Sequence, residues 1–359
     1  MRCAGVHRLE AQAPDDVSAI AALIEAGRLA PGSIVAIFGK TEGNGCVNDF
    51  TRAFAVSALR ALLSRHLPLA EVDRVALVMS GGTEGALSPH WLVFTSDPAP
   101  GGGESPALAI GRARTRALLP EEIGTPAQSA EVARGVAAAM ADAGITGPDA
   151  VHYVQVKCPL LTPERIAQAD ARGAATATRD TLKSMALSRG ASALGAAIAL
   201  GEVPGDAEPG DPALYCTRCG ASAGVELEDH EIVVMGLSDS WSGPLLIDHA
   251  VMSDSIDTEP VRAALARLGL DAPGQLAPAQ RARLLAVMAK AEAAASGRVR
   301  GARHVMLSDS DISHTRHARA FVGGALASLV GFTDLFVSGG AEHQGPDGGG
   351  PVALIARRS

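Results

Sequence analysis

One ordered triplet of side chains occurs three times along the chain, and it restricts the fold more than any other feature. In the first copy the β-branched run SIVAIF leads to Lys40, the helical stretch NDFTRAFAVSALRALLSRHL carries Arg52, and the apolar run RVALVMSGG supplies Ser80. In the last copy LAVMAKAEA supplies Lys290, SHTRHARAFVGGALASLVG supplies Arg316, and DLFVSGGAEHQG supplies Ser338. Between them VHYVQVKCPLL carries Lys157, LKSMALSRGASALGAAIALGEV carries Arg189, and EIVVMGLSDSWSG runs through Ser238. The Lys-to-Ser interval is 40 and 48 residues in the outer copies but 81 in the middle one, so the middle match rests on order and context. Self-similarity of this kind means one supersecondary unit used several times.

Each unit is expected to run strand, helix, strand, turn, strand, because the apolar runs HWLVFTS, PLLIDHA and PVALIAR follow the three serines. The expected fold class is α/β, with three similar units over residues 1–103, 104–252 and 253–359. The boundaries fall where composition shifts, at DPAPGGGESP (97–106) and SDSIDTEP; the Pro/Gly-rich, acidic GEVPGDAEPGDPA (201–213) reads as a loop inside the middle unit. Units packed about a pseudo-threefold axis bring three lysines, three arginines and three serines to one pocket.

Composition narrows what that pocket serves. Apolar residues are 47% of the chain and aromatics 3%, so the core is aliphatic, with 40 glycines allowing close backbone approaches. A formal charge of −8, from 31 basic and 39 acidic residues, argues against a nucleic-acid-binding face and for a small substrate. No run reaches the roughly 20 apolar residues of a membrane helix, and MRCAGVHRLEAQAPDD has no secretory apolar core. Five scattered cysteines fit a reducing cytoplasm; Cys216 and Cys219 form a lone CxxC, read as structural rather than as a zinc or redox site.

The chemistry follows from the residue types. Repulsion and partial burial lower a lysine's pKa, and a neutral lysine can take the proton of a serine that attacks a carbonyl. Glycines after Ser80 and Ser338 let backbone N–H groups reach a substrate carbonyl, and guanidinium forks hold carbonyl oxygens or a delocalised anion. Three such clamps suit a planar, roughly threefold cyclic imide. Singly, a strand-end lysine is usually a solvated charge and Ser-Gly-Gly a tight turn; recurrence lifts them above that. A non-catalytic module holding a small metabolite would use three arginines equally well, and the lysines favour an enzyme.

The motifs GKTEGNGCVNDFTR, VQVKCPLLTP, SRGASALG, RHVMLSDSDISHTRHARA and SGGAEHQGPDGGGPVA resemble the family of cyanuric acid amidohydrolases and barbiturases, and more closely its cyanuric acid hydrolases. The resemblance spans nearly the whole chain. It implies three units around a central β-barrel with helices outside, and hydrolytic opening of cyanuric acid to carboxybiuret, which loses carbon dioxide to give biuret. It implies a nucleophile and base in the middle unit, here Ser238 and Lys157, with Ser240 and Ser242 as neighbouring alternatives. Substrate binding would fall to Arg52, Ser80, Gly81, Arg189, Ser238, Asp239, Arg316, Ser338 and Gly339, with Lys40 and Lys290 completing supporting dyads. Barbituric acid remains the alternative substrate, and a homotetramer the implied assembly.

No cofactor is expected for the chemistry. By the same resemblance, the glycine-rich stretch after Ser338 wraps a structural Mg²⁺ or Ca²⁺ through Glu292, Ala341, Gln344, Gly345, Pro346 and Gly349, the alternative being a glycine loop without metal. It lacks the G-K-[ST] of a phosphate loop. No HExxH or similar pairing supports catalytic zinc, and Asp309 and Asp311 in SDSDIS read as Asx turns and caps.

Overall fold

The computed structural model describes residues 1–99 and 101–359; Pro100, inside the linker DPAPGGGESP, lies outside the described residues. The chain opens with β1 (Arg2–Glu10), α1 (Ser18–Glu25), β2 (Ile34–Thr41), α2 (Phe50–Leu63), α3 (Leu69–Val72), β3 (Ala76–Gly81) and β4 (His90–Pro98). Then come β5 (Ala107–Arg114), α4 (Pro126–Ala143), β6 (Val151–Cys158), α5 (Pro163–Ala171), α6 (Thr181–Ala199), β7 (Cys219–Ala223) and β8 (Glu231–Ser238). The last part holds β9 (Leu245–Met252), α7 (Glu259–Arg267), α8 (Pro278–Arg283), β10 (Leu284–Ala291), a ribbon of β11 (Arg298–Val299) and β12 (Ala302–Arg303), α9 (His314–Val330), β13 (Phe336–Gly339) and β14 (Gly350–Arg357).

Twelve of these strands form three four-stranded sheets of one design: β1-β4-β2-β3, β5-β8-β6-β7 and β9-β14-β10-β13. In each, the lysine-bearing strand pairs parallel with the short strand after its helix and antiparallel with the last strand. Each lysine strand also shifts register one residue after its start, at Ile34/Ala36, Val151/Tyr153 and Leu284/Ala286. Two expectations change here. β9, the run PLLIDHA assigned to the middle unit, is hydrogen-bonded along β14 and belongs to the third sheet. The boundary between second and third sheets therefore falls before Leu245 rather than after residue 252.

The lysine-bearing strands β2, β6 and β10 are buried on both faces at nearly every position, and most of those positions are apolar. Along β2, Ala36 and Phe38 enter a core shared by the three sheets, while Ile37 packs in a separate core on the helix side. Along β10, Ala286 and Met288 join that shared core and Val287 and Ala289 the outer one. Phe38 lies between Phe94 and Phe336, with ring centroids 4.9 and 5.4 Å away. The helices α2 and α6 start on side-chain caps: the Asp49 carboxylate accepts the Thr51 amide at 3.0 Å, and Asp180 accepts that of Lys183 at 3.0 Å. Gly331 ends α9 with φ 84°, a left-handed conformation that glycine adopts without steric cost. No helix among the described residues is long and apolar enough to cross a membrane.

Candidate active site

Strand periodicity aims the lysines. Successive residues face opposite sides of a sheet, so the step from Ala36 to Phe38 continues to Lys40, and that from Ala286 and Met288 to Lys290. All three lysines are 1% exposed. In parallel register, Lys40 stands opposite Ser80, Lys157 opposite Ser222 and Lys290 opposite Ser338.

The serine of the middle unit is therefore Ser222. Ser238 sits at the far end of β8, opposite Ala107, whereas Lys157 pairs across β6 and β8 with Glu231. The strand between Glu231 and Ser238 is roughly 23 Å long. Ser238 donates to the Gly144 carbonyl at 2.6 Å, and with Asp239 and Ser240 it lines a different cavity, so Asp239 also leaves the site. The missed signal was present: SAGVE (222–226) repeats SGGTE (80–84) and SGGAE (338–342) with one glycine changed to Ala223.

A compact cavity gathers Ser80, Ser222 and Ser338 with Arg52, Arg189 and Arg319, and Gly81, Ala223 and Gly339 line it beside them. Arg319 takes the place expected of Arg316. Arg319 is 5% exposed and bidentate to Glu84 at 2.6 and 2.8 Å; Arg316, three residues earlier on the same helix face, is 43% exposed and reaches Glu84 only by Nε at 3.1 Å. Met79, Met185 and Gly45 complete the lining; nothing in the sequence pattern singled them out.

Contacts pass from sheet to sheet around this cavity. Arg319 holds Glu84 of the first turn, and Arg189 holds Glu342 of the third at 2.6 and 2.8 Å. Arg52 donates to the Ala223 carbonyl of the second at 3.3 Å and to the Cys46 carbonyl at 2.7 Å, while its Nε is buried without a partner among the described residues. Lys157 reaches the Met79 carbonyl of β3 at 3.2 Å, and Lys290 that of Ala221 on β7 at 3.0 Å.

The three dyads differ in detail. Lys40 donates to Ser80 Oγ at 3.3 Å. Lys157 lies 3.1 Å from the Glu226 carboxylate, and Ser222 Oγ is buried with no partner among the described residues. Burial pushes all three amines below the ordinary lysine range: Lys40 well below it, reinforced by Arg319; Lys157 with Glu226 opposing; Lys290 to about 7, with Arg189 adding to the shift. A lysine lowered to about 7, as Lys290 is, has the basicity that proton abstraction at neutral pH requires. Burial raises the Glu84 and Glu342 carboxyls, but Arg319 and Arg189 outweigh it and hold both ionised.

Glu292, Ala341, Gln344 and their neighbours also come together. The Glu292 carboxylate accepts the Ala341 amide at 3.1 Å and the Ala293 amide at 2.9 Å, with His314 Nδ1 at 3.2 Å. Buried Gln344 accepts the Ala221 amide at 2.7 Å, which ties this loop to the strand carrying Ser222. The groups on Glu292 are thus amide and imidazole nitrogens, while the Ala341 and Pro346 carbonyls accept the Gln344 and Gly349 amides at 2.8 and 2.9 Å; the oxygen-rich residue types are those a hard cation takes. His152, Asp248 and His249 cluster elsewhere, on β6 and β9, but Arg267 takes both Asp248 oxygens at 2.6 and 3.2 Å. Asp309 accepts the Asp311 and Ile312 amides at 2.8 and 3.2 Å, an Asx turn as read from SDSDIS.

Comparison with known proteins places the chain in a family. Residues 5–357 match the family described as amidohydrolase ring-opening protein. The chain is 64% identical over 368 residues to the cyanuric acid amidohydrolase of Bradyrhizobium sp. (strain ORS 375), covering 100% of this chain and 99% of that one. It is 65% identical over 364 residues to that of Methylobacterium sp. (strain 4-46), covering 100% and 98%. The crystal structure of the A. caulinodans cyanuric acid hydrolase superposes with a TM-score of 0.92 at 58% identity over 100% of both chains. A second solved cyanuric acid hydrolase, described as evolutionary innovation by structural concatenation, gives 0.94 at 52% identity over 99% of this chain and 100% of that one. The chain thus belongs to the ring-opening amidohydrolase family that includes the cyanuric acid amidohydrolases.

Proposed function

We propose that this protein hydrolyses cyanuric acid to carboxybiuret, which decarboxylates to biuret, with Ser222 as nucleophile and Lys157 as its base. The observation that carries the assignment is the buried Ser222 Oγ, without a partner among the described residues, in register with Lys157 and lining the cavity that holds Arg52, Arg189 and Arg319. The activity named for relatives at 64 and 65% identity supports the substrate.

The three guanidinium groups hold the ring's three carbonyl oxygens, and Ser80 and Ser338 with Gly81 and Gly339 flank the ring edge. Ser222 Oγ attacks one carbonyl carbon as its proton passes to Lys157 Nζ. The tetrahedral oxyanion is stabilised by a guanidinium and nearby backbone N–H groups. The new ammonium returns the proton to the departing ring nitrogen, the C–N bond breaks, and the opened ring stays esterified to Ser222. Water then adds to this ester with Lys157 again as base, releasing carboxybiuret and free Ser222.

The three sheets are proposed to close into a central barrel about a pseudo-threefold axis, as units 1–103, 104–244 and 245–359. Their common strand order and the sheet-to-sheet contacts support this. A divalent cation held by Glu292 and by oxygens of Ala341, Gln344, Gly345, Pro346 and Gly349 would have a structural part, stiffening the loop that reaches Ala221 through Gln344. The unpaired cysteines suit a cytoplasmic protein. Exposed Phe50, Phe54 and Phe321 suit burial in a homotetramer.

The test is ring loss by ultraviolet absorbance with cyanuric and, separately, barbituric acid, for the parent, Ser222→Ala and Ser238→Ala. Cyanuric acid should be consumed by the parent and by Ser238→Ala but not by Ser222→Ala. Parent-like turnover by Ser222→Ala would overturn the nucleophile, and faster loss of barbituric acid would overturn the substrate.

A further inference from the structure

The three turns after the serines each end in a glutamate four residues on, and they use it differently. In the outer turns a guanidinium lies over the second glycine: a Cβ on Gly82 would meet Arg319 Nη2 at 2.5 Å, and one on Gly340 would meet the Arg189 guanidinium at 2.6 Å. In the middle turn the glutamate itself folds back, so that a Cβ on Gly224 would meet the Glu226 carboxylate oxygens at 2.3 Å. Glu84 and Glu342 are clamped bidentate by Arg319 and Arg189. Glu226 makes its contact with Lys157 instead, at 3.1 Å, and Arg52 turns to the carbonyls of Cys46 and Ala223.

We propose that Glu226 is a positioning residue that selects Lys157 as the working base, holding its amine and stabilising the ammonium formed when Ser222 is deprotonated. This rests on the reading of Ser222 and Lys157 as nucleophile and base. Glu226 does not exchange a proton: the Ser222 proton moves to Lys157 Nζ and on to the leaving ring nitrogen, with the carboxylate ionised throughout. The titratable and charged groups facing Lys157 are Glu226 from the turn, Arg52 from α2, the Cys158 thiol beside it and Glu231 across on β8. Among them, Glu226 is the carboxylate in direct contact. Lys157 itself is 1% exposed and the Glu226 side chain 22% exposed, so their attraction is only partly screened.

The sign of the effect separates this role from a structural one. A neighbouring carboxylate favours the ammonium, so Glu226→Gln lowers the pH at which Lys157 loses its proton. The acid limb of kcat/KM for Glu226→Gln should move to lower pH by about one unit or more, while kcat on the plateau falls roughly 100-fold. Glu226→Asp should restore part of kcat and return the limb toward the parent's. Glu84→Gln and Glu342→Gln, which loosen Arg319 and Arg189, should raise KM and leave the limb in place. An unmoved limb in Glu226→Gln, with the loss confined to KM, overturns the proposal; if that variant does not fold, the limb of Glu226→Asp decides in the same way. Ser222→Ala is run alongside. Turnover by it discards the nucleophile reading, whereas a dead Ser222→Ala with an unmoved Glu226→Gln limb discards only the role of Glu226.

Discussion

The first and middle sheets share strand order, pairing directions and register shift, yet differ around the serine. In the first, Lys40 donates to Ser80, and His90 stands opposite Lys40 on the neighbouring strand. In the middle, Glu231 stands opposite Lys157, whose amine turns to Glu226 and the Met79 carbonyl, and Ser222 Oγ has no partner among the described residues. Both pairs are buried by the same backbone, so the differences lie in a few side chains. A repeated scaffold supplies three similar clamps, and departures from repetition set them apart by the partners of the lysine and the serine.

The sharpest way to break that comparison is to remove each lysine in turn. Lys157→Met should lower kcat by roughly 1,000-fold or more, the scale of losing a general base. Lys40→Met should cost roughly ten times less and act on kcat and KM together, since Ser80 is assigned to binding. Equal losses in steady-state kinetics would mean that the two dyads are interchangeable.

Arginine comes next. Arg319→Ala should reduce kcat/KM by about 100-fold, because it removes a buried bidentate clamp and frees Glu84 beside the cavity. Arg316→Ala, half-exposed and singly bonded, should change it by less than about 5-fold. The reverse order would restore Arg316 to the site.

These contrasts mark what the sequence made legible. Lys40, Lys157 and Lys290 end β-branched or apolar runs, and the helices carrying Arg52, Arg189 and Arg319 have clear periodicity, so the elements and two complete dyads could be read directly. Ser222 was hidden because its strand, CGASA, is five small residues without the large apolar residues that flag β3 (Leu77, Val78, Met79) and β13 (Phe336, Val337). The more apolar EIVVMGLS drew the assignment to β8, and with it Ser238 and Asp239. Arg316 and Arg319 share a helix face, so period alone could not say which is buried; only the depth of α9 against the first turn decides. The cyclic contacts join residues more than 150 apart in sequence and leave no local pattern at all.

A smaller effect tests the residue behind each lysine. His90 is fully buried, and burial lowers its pKa from 6.5 to about 4. Because the folded value lies below the unfolded one, the unfolded chain takes the proton first as pH falls. The stability tied to neutral His90 is thus complete above about 6.5 and is lost progressively between about 6.5 and 4. At pH 5 the loss should be roughly 2 kcal/mol. His90→Gln should lose less stability between pH 7 and pH 5 than the parent, by about that amount, in denaturant titrations; parallel losses would mean that His90 is protonated in the folded state.

The smallest expected effect concerns the glycine that became Ala223. A Cβ at Gly81 would meet the Asp49 carboxylate at 1.7 Å, and that carboxylate caps α2 through Thr51 and also accepts the Gly45 amide at 2.8 Å. The first turn therefore keeps its glycine to preserve the cap that orients Arg52. The middle sheet holds the Ala223 methyl in the shared core instead. Ala223→Gly should cost about 1 kcal/mol of stability, from chain entropy and the lost methyl, and change kcat by less than about 3-fold. A larger loss of kcat at unchanged KM would show that this methyl fixes the orientation of Ser222, and would move the decisive difference between the sheets from the lysine's partner to the backbone beside the nucleophile.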